Sequence, residues 1–215
     1  MSQSEPGPAE AINTGAPAAP RPAASVILLR RGGRHSQRSL EVLLLKRSAD
    51  AAFMPGVWVF PGGAVDRKDG EGEPGHRACA LRELCEEAGV ELSGVEELVL
   101  FARWITPEVV ATRFDAWFFL AFAPPHSSPR PDGEETTEAA WIEPRAALDA
   151  HAAGELALVF PTIKQLEALL PYRTAEEAIE ASRGREVEPI LPKVIGGEGD
   201  HRVVLPGDPD YPAKG

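Results

Sequence analysis

Four charged residues within one short segment carry the clearest chemical pattern of the sequence: Arg82, Glu83, Glu86 and Glu87. On a helix, which turns about 100° per residue, the three glutamates at i, i+3 and i+4 share one side. Like charges at this spacing repel by roughly 0.2–0.5 kcal/mol per pair on an exposed helix. Arg82 offsets Glu86 in part, and the remaining negative charge favours a divalent cation. Magnesium and manganese suit carboxylate oxygens and leave coordination positions for phosphates, so the pattern indicates metal-assisted phosphate chemistry.

The alternative interpretation is a solvated acidic face on an ordinary amphipathic helix. The arc opposite the glutamates is apolar and contains Ala78, Leu81, Leu84, Cys85 and Ala88. Three glutamates alone would favour this interpretation. The glycine pair before the helix, together with the specific order Arg-Glu-x-x-Glu-Glu-x-Gly, favours the chemical one.

This segment resembles the Nudix box, which reads G-x5-E-x7-R-E-U-x-E-E-x-G-U with U an aliphatic residue. The matching positions are Gly63, Arg82, Glu83, Leu84, Glu86, Glu87, Gly89 and Val90. Counted back from Arg82, the box glycine and first glutamate fall on Lys68 and Pro74, so the segment after Gly63 is five residues longer than the box. Glu71 and Glu73 are both candidates for the first glutamate.

The resemblance implies a role for each matched residue. Glu86 and Glu87 would bind Mg²⁺ or Mn²⁺, with the Gly63 carbonyl as a further ligand. Glu83 would be a ligand or the base for the attacking water, and Arg82 would orient it. A glutamate outside the box is also expected, and Glu135 is the first candidate, with Glu134 next. The alternative for both is a solvated loop.

The residues before the box indicate the substrate. The segment from Leu43 to Gly63 is similar to the coenzyme A diphosphatase signature L-L-T-x-R-[SA]-x3-R-x3-G-x3-F-P-G-G, without gaps. Leu45 replaces its threonine and Ala52 its second arginine. Residues 24–172 also resemble the acyl-CoA diphosphatases known from peroxisomes. The resemblance implies hydrolysis of CoA or acyl-CoA to 3′,5′-ADP and a phosphopantetheine.

Substrate contacts are predicted at four side chains. Arg47, Arg103 and Arg113 are candidates for the substrate phosphates on charge, against the alternative of surface arginines. Trp104 is a candidate for stacking on adenine, against the alternative of a core tryptophan. Two other functions stay open: hydrolysis of ADP-ribose, NADH or another nucleoside diphosphate derivative, and a non-catalytic Nudix-fold ligand sensor. Retained metal glutamates count against the sensor.

The elements that position these residues alternate between strands and helices. Strands are predicted at residues 24–30, 40–46, 95–105, 113–123 and 139–142. Helices are predicted at residues 76–88, 145–153, 161–170 and 175–183. The first two strands form a hairpin, the apolar fourth strand is central, and Gly89 ends the first helix. The prediction is an α+β fold, the Nudix α/β/α sandwich with a mixed β-sheet between helices.

Composition limits the remaining possibilities. Residues 1–23 are predicted to be a disordered Pro/Ala-rich arm, 24–184 the Nudix domain, and 185–215 a Pro/Gly-rich tail that packs on the domain or on a partner subunit as a homodimer. The net charge of −11 argues against nucleic acid and anionic membrane surfaces as partners. No apolar run is long enough to span a bilayer. Cys79 and Cys85 cannot pair on one helix, which favours a reducing, cytoplasmic location.

Overall fold

The computed structural model describes residue 13 and residues 15–32, 39–51, 54–196 and 202–212. The strands are Arg21–Arg31 (β1), Leu40–Arg47 (β2), Trp58–Val59 (β3), Gly62–Ala64 (β4), Val99–Ile105 (β5), Phe114–Phe122 (β6), Thr136–Ile142 (β7), Pro189–Ile190 (β8), Lys193–Ile195 (β9) and Arg202–Val204 (β10). The helices are Gly72–Ala88 (α1), Pro144–Ala152 (α2), Phe160–Leu169 (α3) and Ala175–Ser182 (α4), with 3-10 turns at Arg67–Asp69 and Val95–Glu97. Most of the predicted N-terminal arm, residues 1–12 and 14, lies outside the described residues.

One mixed sheet runs through the domain in the order β3-β2-β1-β6-β5-β8, with β4 beside β1 and β7 beside β2. β1 and β2 form the predicted antiparallel hairpin, in which Leu29 faces Val42. β6 lies between β1, to which it is parallel, and β5, to which it is antiparallel. This confirms that the most apolar strand is central. β1 begins at Arg21, three residues before the predicted start at residue 24.

The two faces of the sheet bury different side chains because neighbouring strand residues point in opposite directions. In β1, Ile27 and Leu29 pack toward α2, α3 and α4, whereas Val26 and Leu28 pack toward α1. Both sets are fully buried. Helices therefore cover both faces, which confirms the α/β/α sandwich.

Helix α1 begins at Gly72, four residues before the predicted start, and ends at Gly89 in the left-handed conformation (φ 61°, ψ 27°), as predicted. The predicted apolar arc was wrong in part, since Cys85 is exposed while Cys79 and Ala80 are buried. The reason is the packing of α1 on β1 and β4, which turns the helix so that Glu87 also joins its buried side.

The tail continues the sheet. β8 pairs in parallel with the end of β5, where Trp104 faces Ile190, and β9 and β10 form a separate two-stranded hairpin. The predicted homodimer contact stays a prediction. Among the helices of the described ranges, none combines the length and apolar character needed to cross a membrane.

Candidate active site

Two glycines let strand β4 fit between β1 and helix α1. A Cβ on Gly62 would lie 2.2 Å from the Ser25 hydroxyl and 2.5 Å from the Ala24 carbonyl oxygen. A Cβ on Gly63 would lie 2.3 Å from Oε1 of Glu83. A Cβ at Gly62 would meet backbone and push the strand away, whereas a Cβ at Gly63 would displace the Glu83 carboxylate, so the glycine pair lets the backbone of β4 lie against the glutamates of α1.

Glu87 is the most deeply buried of these glutamates, with 3% of its surface exposed. Its Oε2 accepts a hydrogen bond of 2.8 Å from the Gly62 N–H. Burial, together with the charge of the neighbouring Glu83, raises the pKa of Glu87 to about 8, against the opposing effects of this hydrogen bond and of Arg47. A carboxylate in this position gains from any cation that enters the site.

Glu83 lies between Gly63 and Arg82. Its Oε1 accepts a hydrogen bond of 2.7 Å from Nη1 of Arg82. Burial raises the pKa of Glu83, and the hydrogen bond to Arg82 opposes that effect. The buried Cys79 thiol behind it donates to the Gly63 carbonyl at 3.6 Å. A raised pKa makes Glu83 a better proton acceptor than an ordinary surface glutamate.

Arg82 is held by a residue that the sequence analysis missed. Its Nε and Nη2 donate to the two carboxylate oxygens of Asp69 at 3.0 and 2.8 Å. This guanidinium hydrogen bond lowers the pKa of Asp69. Glu73 instead pairs with Arg77 on the surface, and the side chain of Glu71 forms no capping hydrogen bond at the start of α1.

Neither of the proposed first box glutamates therefore reaches Arg82. The sequence does contain a pattern that identifies Asp69, because this residue follows Gly63 at the G-x5 spacing of the box glycine and its first acidic residue. The extra five residues of the segment then fall between Asp69 and Arg82 rather than before the acidic residue.

Glu86 completes the acidic group on the exposed side of α1. Arg82 Nη1 lies 2.9 Å from its Oε2 and Lys68 Nζ 3.5 Å from its Oε1, and the Arg82 hydrogen bond lowers the pKa of Glu86. Within the described ranges, no three acidic, histidine or cysteine side chains already converge as a metal cluster. The donors nevertheless suit a hard divalent cation, since two carboxylates with raised pKa values lie beside a backbone strand and all are oxygen ligands.

A turn after residue 131 brings Glu135 to the same region. Oδ1 of Asp132 accepts hydrogen bonds from the backbone N–H groups of Glu134, Glu135 and Thr136. The Thr136 hydroxyl then donates to the Glu87 carbonyl at 3.0 Å. The charge of Glu135 raises the pKa values of both Glu83 and Glu87. Of the two candidates outside the box, Glu135 lines the adjacent cleft.

This cleft, of about 970 Å³, has two chemically different linings. The polar lining comes from Arg47, Gly62, Gly63, Arg82, Glu83, Glu86 and Glu135. The apolar lining includes Trp104, Val110, Phe118, Phe160, Val194 and Val203. In the sheet, β1 and β6 lie between β4, which carries Gly62 and Gly63, and β5, which carries Trp104.

Among the predicted substrate contacts, Arg47 and Trp104 line the cleft, whereas Arg103 and Arg113 do not. Arg103 forms a two-pronged pair with Asp115, with contacts of 2.8 and 2.6 Å, and lies over the Trp117 ring on the α1 side of the sheet. Arg113 is buried and donates to the carbonyl oxygens of Thr106 and Ala18. Both arginines are occupied by contacts that stabilise the fold.

The comparisons with known proteins agree with this geometry. The NUDIX domain model matches residues 19–162. The chain is 30% identical to nudix hydrolase 7 of Caenorhabditis elegans, over 89% of this chain and 74% of that protein. It is 25% identical to the acyl-coenzyme A diphosphatase NUDT19 of Gallus gallus, over 89% of this chain and 80% of that protein. A NUDIX hydrolase structure from Alicyclobacillus acidocaldarius superposes with a TM-score of 0.69 at 28% identity, covering 75% of this chain and 96% of that one. The chain therefore belongs to the Nudix family of pyrophosphohydrolases.

Proposed function

We propose that this enzyme cleaves the pyrophosphate bond of coenzyme A or an acyl-CoA, giving 3′,5′-ADP and a phosphopantetheine product. The observation that carries the proposal is the cleft, whose lining combines carboxylates with a large set of apolar side chains. Its volume of about 970 Å³ is at the upper limit of ordinary ligand pockets, which suits a large substrate. The 25% identity to an acyl-coenzyme A diphosphatase supports the same substrate class.

The carboxylate end would hold the divalent metal, Mg²⁺ or Mn²⁺. Glu83, Glu86, Glu87 and the Gly63 carbonyl are the proposed ligands. Such an ion, when bound, neutralises phosphate charge and makes water a better nucleophile. Arg82, fixed by Asp69, positions Glu83 against β4.

Two glutamates are candidates for accepting the proton of the attacking water. Glu83 has a pKa raised by burial, which increases its basicity. Glu135 approaches from the turn after Asp132 and lines the cleft without belonging to α1. Replacing each by Gln and measuring kcat against pH distinguishes them, because loss of the base removes the acidic limb of the profile.

Arg47 is the proposed phosphate contact at the polar end. It lines the cleft, and its charge acts on Glu87, so it lies close to where the diphosphate would bind. We expect Arg47→Gln to raise KM for CoA by about tenfold, since a charged hydrogen bond contributes roughly 1.5–3 kcal/mol. Arg103→Gln is the matched control and leaves KM unchanged, because Arg103 is paired with Asp115 and does not line the cleft.

A substrate panel tests the proposal. The purified protein is given Mg²⁺ or Mn²⁺ with CoA, octanoyl-CoA, ADP-ribose and NADH, and the products are separated by chromatography. We expect a kcat/KM for the CoA species at least about tenfold above that for ADP-ribose, a ratio within reach of differential pocket contacts. Turnover of ADP-ribose without turnover of either CoA species would overturn the substrate assignment. Undiminished activity in Glu86→Gln/Glu87→Gln would overturn the metal site.

A further inference from the structure

The C-terminal segment forms a fixed wall of the cleft. β8 is held to β5 by parallel pairing, and the Arg185 guanidinium donates to the carbonyl oxygen of Phe101. The Tyr211 hydroxyl donates to the Leu191 carbonyl at 2.8 Å. Val204 is 3% exposed, so the β9–β10 hairpin is anchored by its own buried residue.

The side chains that this segment turns toward the cleft are apolar. Pro192, Val194 and Val203 line it together with Trp104 and Phe160. None of these five can neutralise a phosphate. In the main sheet, β1, β6 and β5 lie between β4, which is beside the carboxylates, and β8, which precedes the wall. An apolar wall is suited to an uncharged part of the substrate rather than to its diphosphate.

We infer that the β9–β10 hairpin is the specificity element of the cleft, and that Val194 and Val203 bind the apolar arm attached to the diphosphate. This inference rests on the proposed function for the diphosphate chemistry and adds the residues that select the arm. The family model matches residues 19–162 and the hairpin begins at Lys193. Hydrolysis thus belongs to the shared domain, and selection of the arm belongs to the segment that follows it.

Synthetic n-alkyl esters of ADP and of 3′-phospho-ADP, with two to eight carbons on the terminal phosphate, test this without a pantetheine group. Each methylene buried in the cleft is expected to raise kcat/KM about fourfold in the wild-type enzyme. Val203→Asp removes this dependence, because a charge at the wall disfavours an apolar chain, so its loss of kcat/KM relative to the wild type grows with chain length. Val95→Asp is the matched control, since Val95 is 42% exposed and does not line the cleft.

Val194→Trp gives an independent measurement if Val203→Asp does not fold. By filling the end of the cleft it stops the rise in kcat/KM at a shorter chain length than in the wild type. An unchanged dependence on chain length in both variants would overturn the inference, as would an equal loss for all esters including the shortest. If the wild-type enzyme hydrolysed CoA but neither series of alkyl esters, the inference would also be overturned. A steep dependence on chain length without any turnover of CoA would support the hairpin's role and reject the proposed substrate.

Discussion

Replacing the buried Glu87 by Gln should stabilise the metal-free protein while destroying its activity. The folded chain holds the Glu87 proton up to a pKa of about 8, compared with an ordinary value of 4.5. Between these values the folded state binds more protons than the unfolded state, so stability falls as pH rises through that window. By linkage the cost at pH 8 is at most about 4 kcal/mol, and relaxation around the charge reduces it to about 2–4 kcal/mol.

Glutamine removes this cost and keeps the local geometry, because its Oε1 can still accept the hydrogen bond from the Gly62 N–H. In EDTA at pH 8, we expect Glu87→Gln to melt roughly 4–16 °C above the wild type, from about 2–4 °C per kcal/mol for a chain of this size. At pH 5 the two proteins should melt at nearly the same temperature. The assay is thermal unfolding by circular dichroism from pH 5 to 8.5.

The matched control is Glu86→Gln, the neighbouring proposed ligand, whose carboxylate is exposed and paired with Arg82. It should give no gain in Tm at any pH. Adding Mn²⁺ should raise the Tm of the wild type, since a ligand of the folded state stabilises it, and raise that of both variants less. If Tm changed with pH in the same way for the wild type and Glu87→Gln, the argument that the buried Glu87 carboxylate destabilises the metal-free protein would be refuted.

Three further outcomes follow from the same geometry. Asp69→Ala, which breaks the pair with Arg82, should lower the free energy of unfolding by about 3 kcal/mol in urea titration and reduce kcat. Glu73→Ala, which breaks the surface pair with Arg77, should lower it by under about 1 kcal/mol. Equal effects of the two substitutions would contradict the role of Asp69. Gly63→Ala should reduce kcat roughly a hundredfold with an unchanged circular dichroism spectrum, because the added Cβ would displace the Glu83 carboxylate. A near-normal kcat would contradict the close approach between Gly63 and Glu83. In native protein, iodoacetamide should modify the exposed Cys85 before Cys79, whose pKa is raised to about 12 by burial, as peptide mapping by mass spectrometry would reveal.

The sequence predicted the layered fold well because its signals are local. Apolar strands, the capping glycine at 89 and the prolines near the starts of α2 and α3 each specify an element from its own residues. The parallel pairing of β1 with β6 joins segments about ninety residues apart, and no local pattern encodes it. The start of α1 was misplaced because Gly72, Pro74 and Gly75 argue against a helix that packing nevertheless stabilises.

For the candidate site, residue types on α1 were sufficient to propose Glu83, Glu86 and Glu87, but not to tell which of them is buried. That difference depends on the rotation of α1 against β4, a tertiary property. Charge alone likewise could not separate Arg47, which lines the cleft, from Arg103, which is paired with Asp115 and does not line it. The box spacing measured back from Arg82 does not reach Asp69, because the five extra residues lie between these two positions.

The bond between Asp69 and Arg82 has a consequence for how the connection before α1 tolerates changes in length. Gly63, which contacts Glu83, and Asp69, which binds Arg82, both precede the five extra residues. Helix α1, which starts at Gly72, contains most of this added length. Insertions and deletions there can therefore accumulate without disturbing the chemistry, which leaves the helix start free to diverge while the carboxylate end stays constant.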